Sequence, residues 1–135
     1  MSLTEEEKTQ LVNASYDAKT KAYAKYSKFH VGAALMAEDG TIYTGCNVEN
    51  VSYGLTNCAE RTAYFKAVSE GALKFKGIAL SSSDLGDGKF ITPCGACRQV
   101  MAEFGDIPVI MTNNLKETKE STVAELLPLA FDDFK

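Results

Sequence analysis

Two short cysteine-containing stretches most constrain how this chain can fold: residues 58–61 (Cys-Ala-Glu-Arg) and 93–98 (Pro-Cys-Gly-Ala-Cys-Arg). Each stretch coincides with a predicted helix start. Asn57 is a suitable N-cap for the first helix, and Thr92 is one for the second, where Pro93 would occupy the first helical position. We expect the fold to bring these two helix N-termini to the same place, so that their cysteines face one another.

The three cysteines of these stretches predict a metal site. Cys94 and Cys97 share one helix face, so both sulfurs can reach one ion that Cys58 also approaches. A single C-x-x-C pattern leaves zinc binding, thioredoxin-like redox chemistry and coincidence open, although Pro93 is unlike the redox arrangement. Three protein ligands leave one tetrahedral position of zinc open, as in catalytic sites, whereas Cys46 as fourth ligand would close a structural site. Otherwise, we expect Cys46 to be a buried thiol.

Two side chains beside Cys58 have chemistry suited to such a centre. Glu60 lies two residues from a ligand and could move protons beside the metal, but it could equally complete a capping box from Asn57. Arg61 could donate hydrogen bonds to the ligand sulfurs. Three thiolates and Zn²⁺ leave a net charge of about −1, which Arg61 and the positive ends of the two helices would offset.

The charge of the chain argues against a nucleic-acid partner. Its 135 residues fit a single domain (1–135), and its formal net charge is −4 with a sequence pI of about 5.0. We expect the densest basic group to be a solvated helix face rather than a phosphate track: Lys19, Lys21, Lys25 and Lys28. No apolar run approaches the roughly 20 residues of a membrane span, and no secretory signal pattern is present. These features favour a cytoplasmic protein with reduced thiols that acts on a small molecule.

Hydrophobic periodicity predicts an α/β fold. The first predicted elements are a helix over 4–25 and hairpin strands over 29–35 and 42–46 joined at Asp39-Gly40. A loop over 47–54, a helix from 58 to a glycine cap at 71 and a strand over 75–80 follow. The last predicted elements are a helix over 92–104, a strand over 107–111, a hydrophilic stretch over 113–121 and a short helix over 123–127. The strand–helix–strand unit predicts a parallel pair with a right-handed crossover. We therefore expect a mixed sheet with helices packed against it.

The wider sequence resembles a known family. Four further segments are similar to the small cytidine deaminases of pyrimidine salvage: residues 26–34 (YSKFHVGAA), 45–50 (GCNVEN), 52–56 (SYGLT) and 126–131 (LLPLAF). The cysteine stretches match the three-cysteine form of the zinc deaminase signature. The resemblance implies a three-layer α/β/α fold with a mixed, mostly five-stranded sheet and one Zn²⁺ per subunit. It also implies hydrolysis of cytidine and deoxycytidine to uridine and deoxyuridine with release of ammonia.

The resemblance further implies roles for individual residues. Zinc would be bound by Cys58, Cys94 and Cys97, and Glu60 would be the catalytic acid and base. The implied substrate-binding residues are Phe29 against the pyrimidine, Asn47 and Glu49 on the ribose hydroxyl, the backbone of Ala59 at the base, and Phe131 and Tyr53 from neighbouring subunits. The short chain resembles the homotetrameric branch of the family, in which several subunits build each active site.

Several of these residues also have a plainer structural interpretation. Asn47 and Glu49 could belong to a solvated loop, and Phe29 and Phe131 could be packing residues. The only histidine, His30, is expected to be a packed or interface residue rather than a ligand.

A carboxylate near the sugar would repel a phosphate, which favours a nucleoside over a nucleotide. The alternative functions are deamination of a related substrate, such as a cytosine-containing antibiotic nucleoside, and a zinc-stabilised binding module without chemistry.

Overall fold

A computed structural model describes residues 3–82 and 84–132. In chain order, its elements are helix α1 (Glu5–Lys19), strands β1 (Gly32–Ala37) and β2 (Ile42–Cys46), a 3₁₀-helix (Tyr53–Leu55), helix α2 (Ala59–Ser69), strand β3 (Phe75–Ser81), helix α3 (Gly95–Glu103), strands β4 (Pro108–Thr112) and β5 (Thr118–Thr122), and the short helix α4 (Val123–Leu126). Over the described residues, no helix combines the length and the apolar character needed to cross a membrane.

The five strands form one mixed sheet in the order β2-β1-β3-β4-β5. Strand β1 pairs antiparallel with both β2 and β3, and β5 pairs antiparallel with β4. Strands β3 and β4 are parallel, with Ile78 opposite Val109 and Leu80 opposite Met111, and α3 lies between them in the chain. The predicted hairpin and the predicted parallel pair are both confirmed.

The sheet separates two hydrophobic layers, because successive side chains of each strand point to opposite faces. On one face, α1 packs through Leu11 against a set of buried strand residues: Ala34, Met36, Ala79 and Ile110. On the other face, residues of α2 and α3 pack over the alternate strand positions: Ala33, Leu35, Ile78, Leu80, Val109 and Met111. This arrangement confirms the three-layer α/β/α fold and places α2 and α3 side by side.

Helix α1 is shorter than predicted, because it ends at Lys19 rather than near residue 25. Its start is as predicted, with Thr4 and Glu7 forming a capping box. Beyond Thr20, the chain pairs with the stretch after β2. The N–H of Tyr23 donates to the carbonyl of residue 47, and its carbonyl accepts from the N–H of residue 49, both at 2.9 Å. Tertiary pairing thus overrides the helical spacing of the alanines and tyrosines.

Strand β1 begins at Gly32 rather than at Phe29. The side chain of Asn47 takes the place of a neighbouring strand at this point. Its Oδ1 accepts the N–H of Val31 at 2.9 Å, and its Nδ2 donates to the carbonyl of Phe29 at 2.7 Å. Residues 29–31 therefore form a separate segment before the sheet, and the backbone of this segment is held by a side chain.

The fifth strand lies largely within the hydrophilic stretch over 113–121, which was not predicted as a strand. Strand β5 lies at the edge of the sheet, where only one neighbour, β4, supplies hydrogen bonds. Edge strands commonly carry charged residues that discourage pairing with other chains, so polarity without clear periodicity is compatible with a strand here. Apolar alternation therefore does not predict β5, although the family resemblance implies a sheet of mostly five strands.

The two helix starts of the cysteine stretches also differ from the prediction. Cys58 and Cys94 are the N-caps of α2 and α3, in place of Asn57 and Thr92. The backbone of Asn57 instead pairs with that of Val48 through two hydrogen bonds of 2.9 Å. This pairing keeps Asn57 extended, so the helix starts one residue later.

Candidate active site

The N-termini of α2 and α3 meet, and a cysteine caps each of them. Neither Cys58 nor Cys94 makes a side-chain capping hydrogen bond, although such positions usually carry Ser, Thr, Asp or Asn. The sulfur of Cys94 lies 4.0 Å from that of Cys58 and 3.4 Å from that of Cys97, in the first turn of α3. All three sulfurs lie within 4.8 Å of one another. Tetrahedral zinc with Zn–S bonds of about 2.3 Å requires ligand sulfurs about 3.8 Å apart, so the set fits this ion.

The fourth cysteine lies outside this cluster. Cys46 ends β2, is half-buried rather than fully buried, and donates its thiol to the carbonyl of Lys21 at 3.3 Å. The closed site with four cysteines is therefore not formed among the described residues. A tetrahedral ion held by three thiolates keeps one further position for a small ligand, which is typical of catalytic zinc.

The surroundings of the cluster favour negative charge on one of its sulfurs, that of Cys58. Hydrogen bonds from the Cys97 thiol and from Arg61, whose Nη2 lies 3.3 Å from the Cys58 sulfur, hold the pKa of Cys58 well below its usual value. The pKa of the Cys97 thiol is raised, because its proton is held by the Cys58 sulfur and because it is buried. The positive ends of α2 and α3 add to this field. The ionised sulfur of Cys58 is suited to bind a cation.

Glu60 is a buried carboxyl next to this cluster. As the second residue of α2, it does not occupy the third position of a capping box, so the capping interpretation is wrong. Its side chain is only 4% exposed. Burial, together with the charge of the Cys58 sulfur, raises the pKa of Glu60 to about 7. A carboxyl in this environment can both accept and donate a proton near neutral pH.

These groups line one cavity of about 210 Å³. Its walls bring together residues from four parts of the chain: Phe29, Val31, Asn47, Thr56, Asn57, Cys58, Ala59, Glu60, Ile91, Thr92 and Cys94. The volume is below the roughly 300–1,000 Å³ of typical ligand pockets. One chain therefore supplies a site for a small ligand or a part of a larger site.

Glu49 lies beside this cavity rather than in its wall. Its Oε1 accepts the N–H groups of Tyr26 and Ser27, both at 3.0 Å, and its Oε2 accepts the hydroxyl of Ser27. The hydrogen bond from the Ser27 hydroxyl contributes most to lowering the pKa of Glu49, so this carboxyl is ionised. The polar loop predicted over 47–54 is thus ordered by specific bonds at Asn47 and Glu49.

Comparison with known proteins assigns this arrangement to a family. The family model of the cytidine and deoxycytidylate deaminase zinc-binding region matches residues 5–113. The chain belongs to the cytidine and deoxycytidylate deaminase family. A cytidine deaminase of Sporosarcina psychrophila is 56% identical over 124 residues, which cover 90% of this chain and 89% of that protein. A probable cytidine deaminase of Dictyostelium discoideum is 51% identical over 129 residues, covering 96% and 86%.

The fold comparison agrees with this family. The crystal structure of cytidine deaminase from Burkholderia pseudomallei has a TM-score of 0.87 and 46% sequence identity, and the match covers 96% of this chain and 100% of that one. The matched family region is a zinc-binding one, and Cys58, Cys94 and Cys97 are the described group that can hold the ion. The chain is therefore a zinc-binding member of a family of hydrolytic deaminases.

Two residues that the deaminase resemblance assigned to the substrate lie apart from the cavity in the single chain. Tyr53, in the 3₁₀-helix, is 78% exposed, and Phe131, in the tail, is 65% exposed. The tail is attached through its backbone, because Gln99 Nε2 donates to the carbonyl of Phe131 at 2.7 Å. His30 is also outside the metal cluster. Its Nδ1 pairs with a carboxylate oxygen of Asp84 at 2.9 Å.

Sequence reasoning missed several residues that shape this deaminase site. Ile91 and Thr92 line the cavity, and Ile91 is positioned by its N–H bond to the carbonyl of Thr112 at 3.0 Å. Arg98 fixes the start of α3, because its Nε donates to the carbonyl of Pro93 and its Nη1 to the carbonyl of Leu126, both at 2.7 Å. Arg98 directly follows the second cysteine, and that adjacency is the one signal that could have identified it.

Proposed function

We propose that the protein is a zinc-dependent cytidine deaminase of pyrimidine salvage. It would hydrolyse cytidine and deoxycytidine to uridine and deoxyuridine and release ammonia. The observation that carries this proposal is the convergence of three groups on one cavity: the thiols of Cys58 and Cys94 and the carboxyl of Glu60. Membership of the deaminase family supports the same reaction.

The metal would be held by Cys58, Cys94 and Cys97. When bound, zinc would supply Lewis-acid activation of water at neutral pH. Arg61 reduces the negative charge of the thiolates through its hydrogen bond to the Cys58 sulfur, and the positive ends of α2 and α3 act in the same direction.

Glu60 is the proposed proton carrier of the reaction. Its carboxyl lines the cavity two residues after Cys58, so a base bound in the cavity would lie beside it. Glu60 would take a proton from the attacking water, transfer it to the ring nitrogen, and protonate the departing amino group. The atoms balance, because cytidine and water give uridine and ammonia.

The nucleoside would be bound by residues in and beside the cavity. Phe29 and Ala59 line the wall, where the ring of Phe29 can pack against the pyrimidine and the backbone of Ala59 can hold the base. Asn47 and Glu49 would bind the ribose. The ionised carboxylate of Glu49 favours a nucleoside over a nucleotide, because it would repel a phosphate on the sugar. The acidic net charge of −4 acts in the same direction against a nucleic-acid strand.

We also propose a homotetramer in which neighbouring subunits complete each site. The small cavity and the exposed rings of Tyr53 and Phe131 support this arrangement. Further exposed apolar side chains adjoin these rings in the sequence: Val51, Leu55 and Leu129. Groups of exposed apolar side chains that form a contiguous patch often mark a protein–protein contact. Residues 1–135 would form one domain of this assembly.

We also propose that the protein works in the reducing environment of the cytoplasm. The sulfurs of Cys94 and Cys97 are free thiols only 3.4 Å apart. In an oxidising compartment, a disulfide between them would remove two of the three zinc ligands.

Deamination of cytidine and deoxycytidine by the purified protein, followed by ultraviolet absorbance, tests this function. Glu60→Gln is assayed in parallel, and the zinc content of both proteins is determined. We expect the wild type to turn over and Glu60→Gln to retain zinc but lose at least about 10²-fold in activity. If both proteins bind zinc and neither acts on cytidine, the proposed substrate is wrong, and cytosine-containing antibiotic nucleosides are tested next. If Glu60→Gln is fully active, the proposed role of the carboxyl is wrong.

A further inference from the structure

The segment that carries Phe29 has an unusual backbone. Lys28, directly before Phe29, has a φ of 62°, in the left-handed region that non-glycine residues rarely adopt. A hydrogen bond of 2.9 Å from the N–H of Lys28 to the carbonyl of Ala24 closes the turn. Such a conformation persists only where surrounding contacts hold it. The position of the Phe29 ring in the cavity wall therefore depends on what holds this turn.

Glu49 supplies most of those contacts. Its Oε1 accepts the N–H groups of Tyr26 and Ser27, both at 3.0 Å, and its Oε2 accepts the Ser27 hydroxyl. An ionised carboxylate offers about four lone-pair positions, so three of them are used by this turn. The remaining position, on Oε2, is left for a further donor such as a sugar hydroxyl.

The Ser27 hydroxyl connects this carboxylate to the backbone of Phe29. A hydroxyl has a single proton, which Ser27 donates to Glu49. The same oxygen accepts the N–H of Phe29 at 3.0 Å. The carbonyl of Phe29 accepts from Nδ2 of Asn47 at 2.7 Å. Side chains thus hold both backbone polar groups of Phe29, and sheet hydrogen bonds hold neither.

We propose that Ser27 is a positioning residue of the active site, which couples the sugar-binding carboxylate of Glu49 to the base-packing ring of Phe29. This inference rests on the proposed function, because both roles are those of a nucleoside site. The contact with the sugar and the contact with the base are then not independent. Loss of the Ser27 hydroxyl frees the N–H of Phe29 and one acceptor position of Glu49, so both ends of the nucleoside are held less well.

The test compares Ser27→Ala with Ser27→Thr, which keeps the hydroxyl, and with Ser69→Ala. Ser69 is a matched control, since its exposed hydroxyl donates to the carbonyl of Lys66, at 2.8 Å, at the far end of α2. For each protein, kcat, KM for cytidine, zinc content and Tm are measured. Ser27→Ala is expected to raise KM about tenfold, with zinc content and Tm close to those of the wild type. Ser27→Thr should recover most of this loss, and Ser69→Ala should match the wild type.

A second experiment tests the coupling itself. Ser27→Ala is combined with Glu49→Gln, and dissociation constants for cytidine are measured by calorimetry in the Glu60→Gln background, where turnover does not interfere. If Ser27 acts through Glu49, the effect of Ser27→Ala is much smaller in the Glu49→Gln protein than alone. Additive effects overturn the coupling.

The outcomes separate this inference from the function on which it rests. An active wild type with an unchanged KM in Ser27→Ala leaves the deaminase function intact and overturns the role of Ser27. A fall of Tm and zinc content in parallel with activity, without recovery in Ser27→Thr, also overturns it, because the hydroxyl is then only structural. A wild type that does not act on cytidine overturns both.

Discussion

The sulfur atoms of Cys58 and Cys94 lie 4.0 Å apart, although the two residues cap different helices and are 36 positions apart in the chain. Because each cysteine occupies an N-cap, the helix that follows it directs positive backbone N–H groups towards the cluster. The metal site is therefore also a contact between α2 and α3, so a bound zinc ion would connect the two helices as well as form part of the active site.

Removal of zinc is expected to destabilise the protein as well as inactivate it. Binding to the native state alone stabilises it by about 4 kcal/mol when free zinc exceeds its dissociation constant about 1,000-fold. Chelation should therefore lower Tm, and added zinc should restore it. Cys97→Ser should show the lower Tm without a chelator, whereas Cys46→Ser should retain zinc, because Cys46 lies outside the metal cluster and donates to the backbone of Lys21. Zinc loss from Cys46→Ser would contradict the three-cysteine site.

Arg61→Gln is expected to weaken activity more than zinc retention. The variant loses the Nη2 hydrogen bond to the Cys58 sulfur and the positive charge beside it. Changes to groups that bond to metal ligands typically cost about 10–100-fold in activity or affinity. Arg61→Lys, which keeps the charge without the planar fork, should fall between wild type and Arg61→Gln. The measurement is kcat/KM with zinc content; full activity of Arg61→Gln with zinc retained would exclude charge compensation.

Gly45→Ala is expected to disturb the site by displacing the backbone of α2. An added Cβ would lie 2.4 Å from the carbonyl oxygen of Ala59 and 2.5 Å from the nitrogen of Ala63, both in the backbone of α2. Because backbone atoms cannot rotate away, we expect a destabilisation of about 3 kcal/mol and a loss of zinc affinity, since Ala59 adjoins a ligand. Urea unfolding measures the first effect. The control is Gly86→Ala, where the Cβ would meet only the Lys89 side chain at 3.6 Å.

Tyr64→Phe is expected to stabilise the protein by about 1 kcal/mol. The ring of Tyr64 is 0% exposed between Phe75 and Phe104, and its hydroxyl has no hydrogen-bond partner among the described residues. The variant removes this buried polar group and keeps the ring packing. Tyr23→Phe, at an exposed ring, should change the urea midpoint little. A lower midpoint in Tyr64→Phe would mean that the hydroxyl is bonded after all.

The ion pair between Glu7 and Lys76 predicts a loss of stability in acid. The hydrogen bond from Lys76, followed by that from the Thr4 N–H, lowers the pKa of Glu7 below its usual value of 4.5. A lowered native pKa adds stability above the unfolded pKa, and this stability is lost as the pH falls through the native pKa. The stability difference between wild type and Glu7→Gln should therefore be constant well above the usual pKa of 4.5 and vanish once the pH has fallen below the lowered native pKa. A difference that does not change with pH would exclude this pair as its source.

The sequence determined the parts of this protein that depend on local or chemical pattern. Thr4 with Glu7 predicted the start of α1. Gly71 and Gly105 predicted the ends of α2 and α3, and both glycines follow these helices with φ values of 97° and 105°. The C-x-x-C pair with Cys58 and Glu60 predicted a metal centre with a proton carrier, because few residue types can perform this chemistry. The helix ends could be predicted without a structure because each depends on a few neighbouring residues, and the metal centre because its residue types have few other roles in common.

Tertiary structure alone decided where the elements end and what the polar loop residues hold. The pairing of Tyr23 with the stretch after β2 ends α1 early, and β5 exists only because β4 offers it a partner. Asn47 and Glu49 were readable as candidates for a sugar contact, but their bonds to the segment around Phe29 were not. Those bonds join residues about 20 positions apart. No local sequence pattern predicts which side chain bonds to a backbone segment that lacks a neighbouring strand. The physical reason is that a buried backbone group must find a partner, and only the completed fold determines which one is within reach.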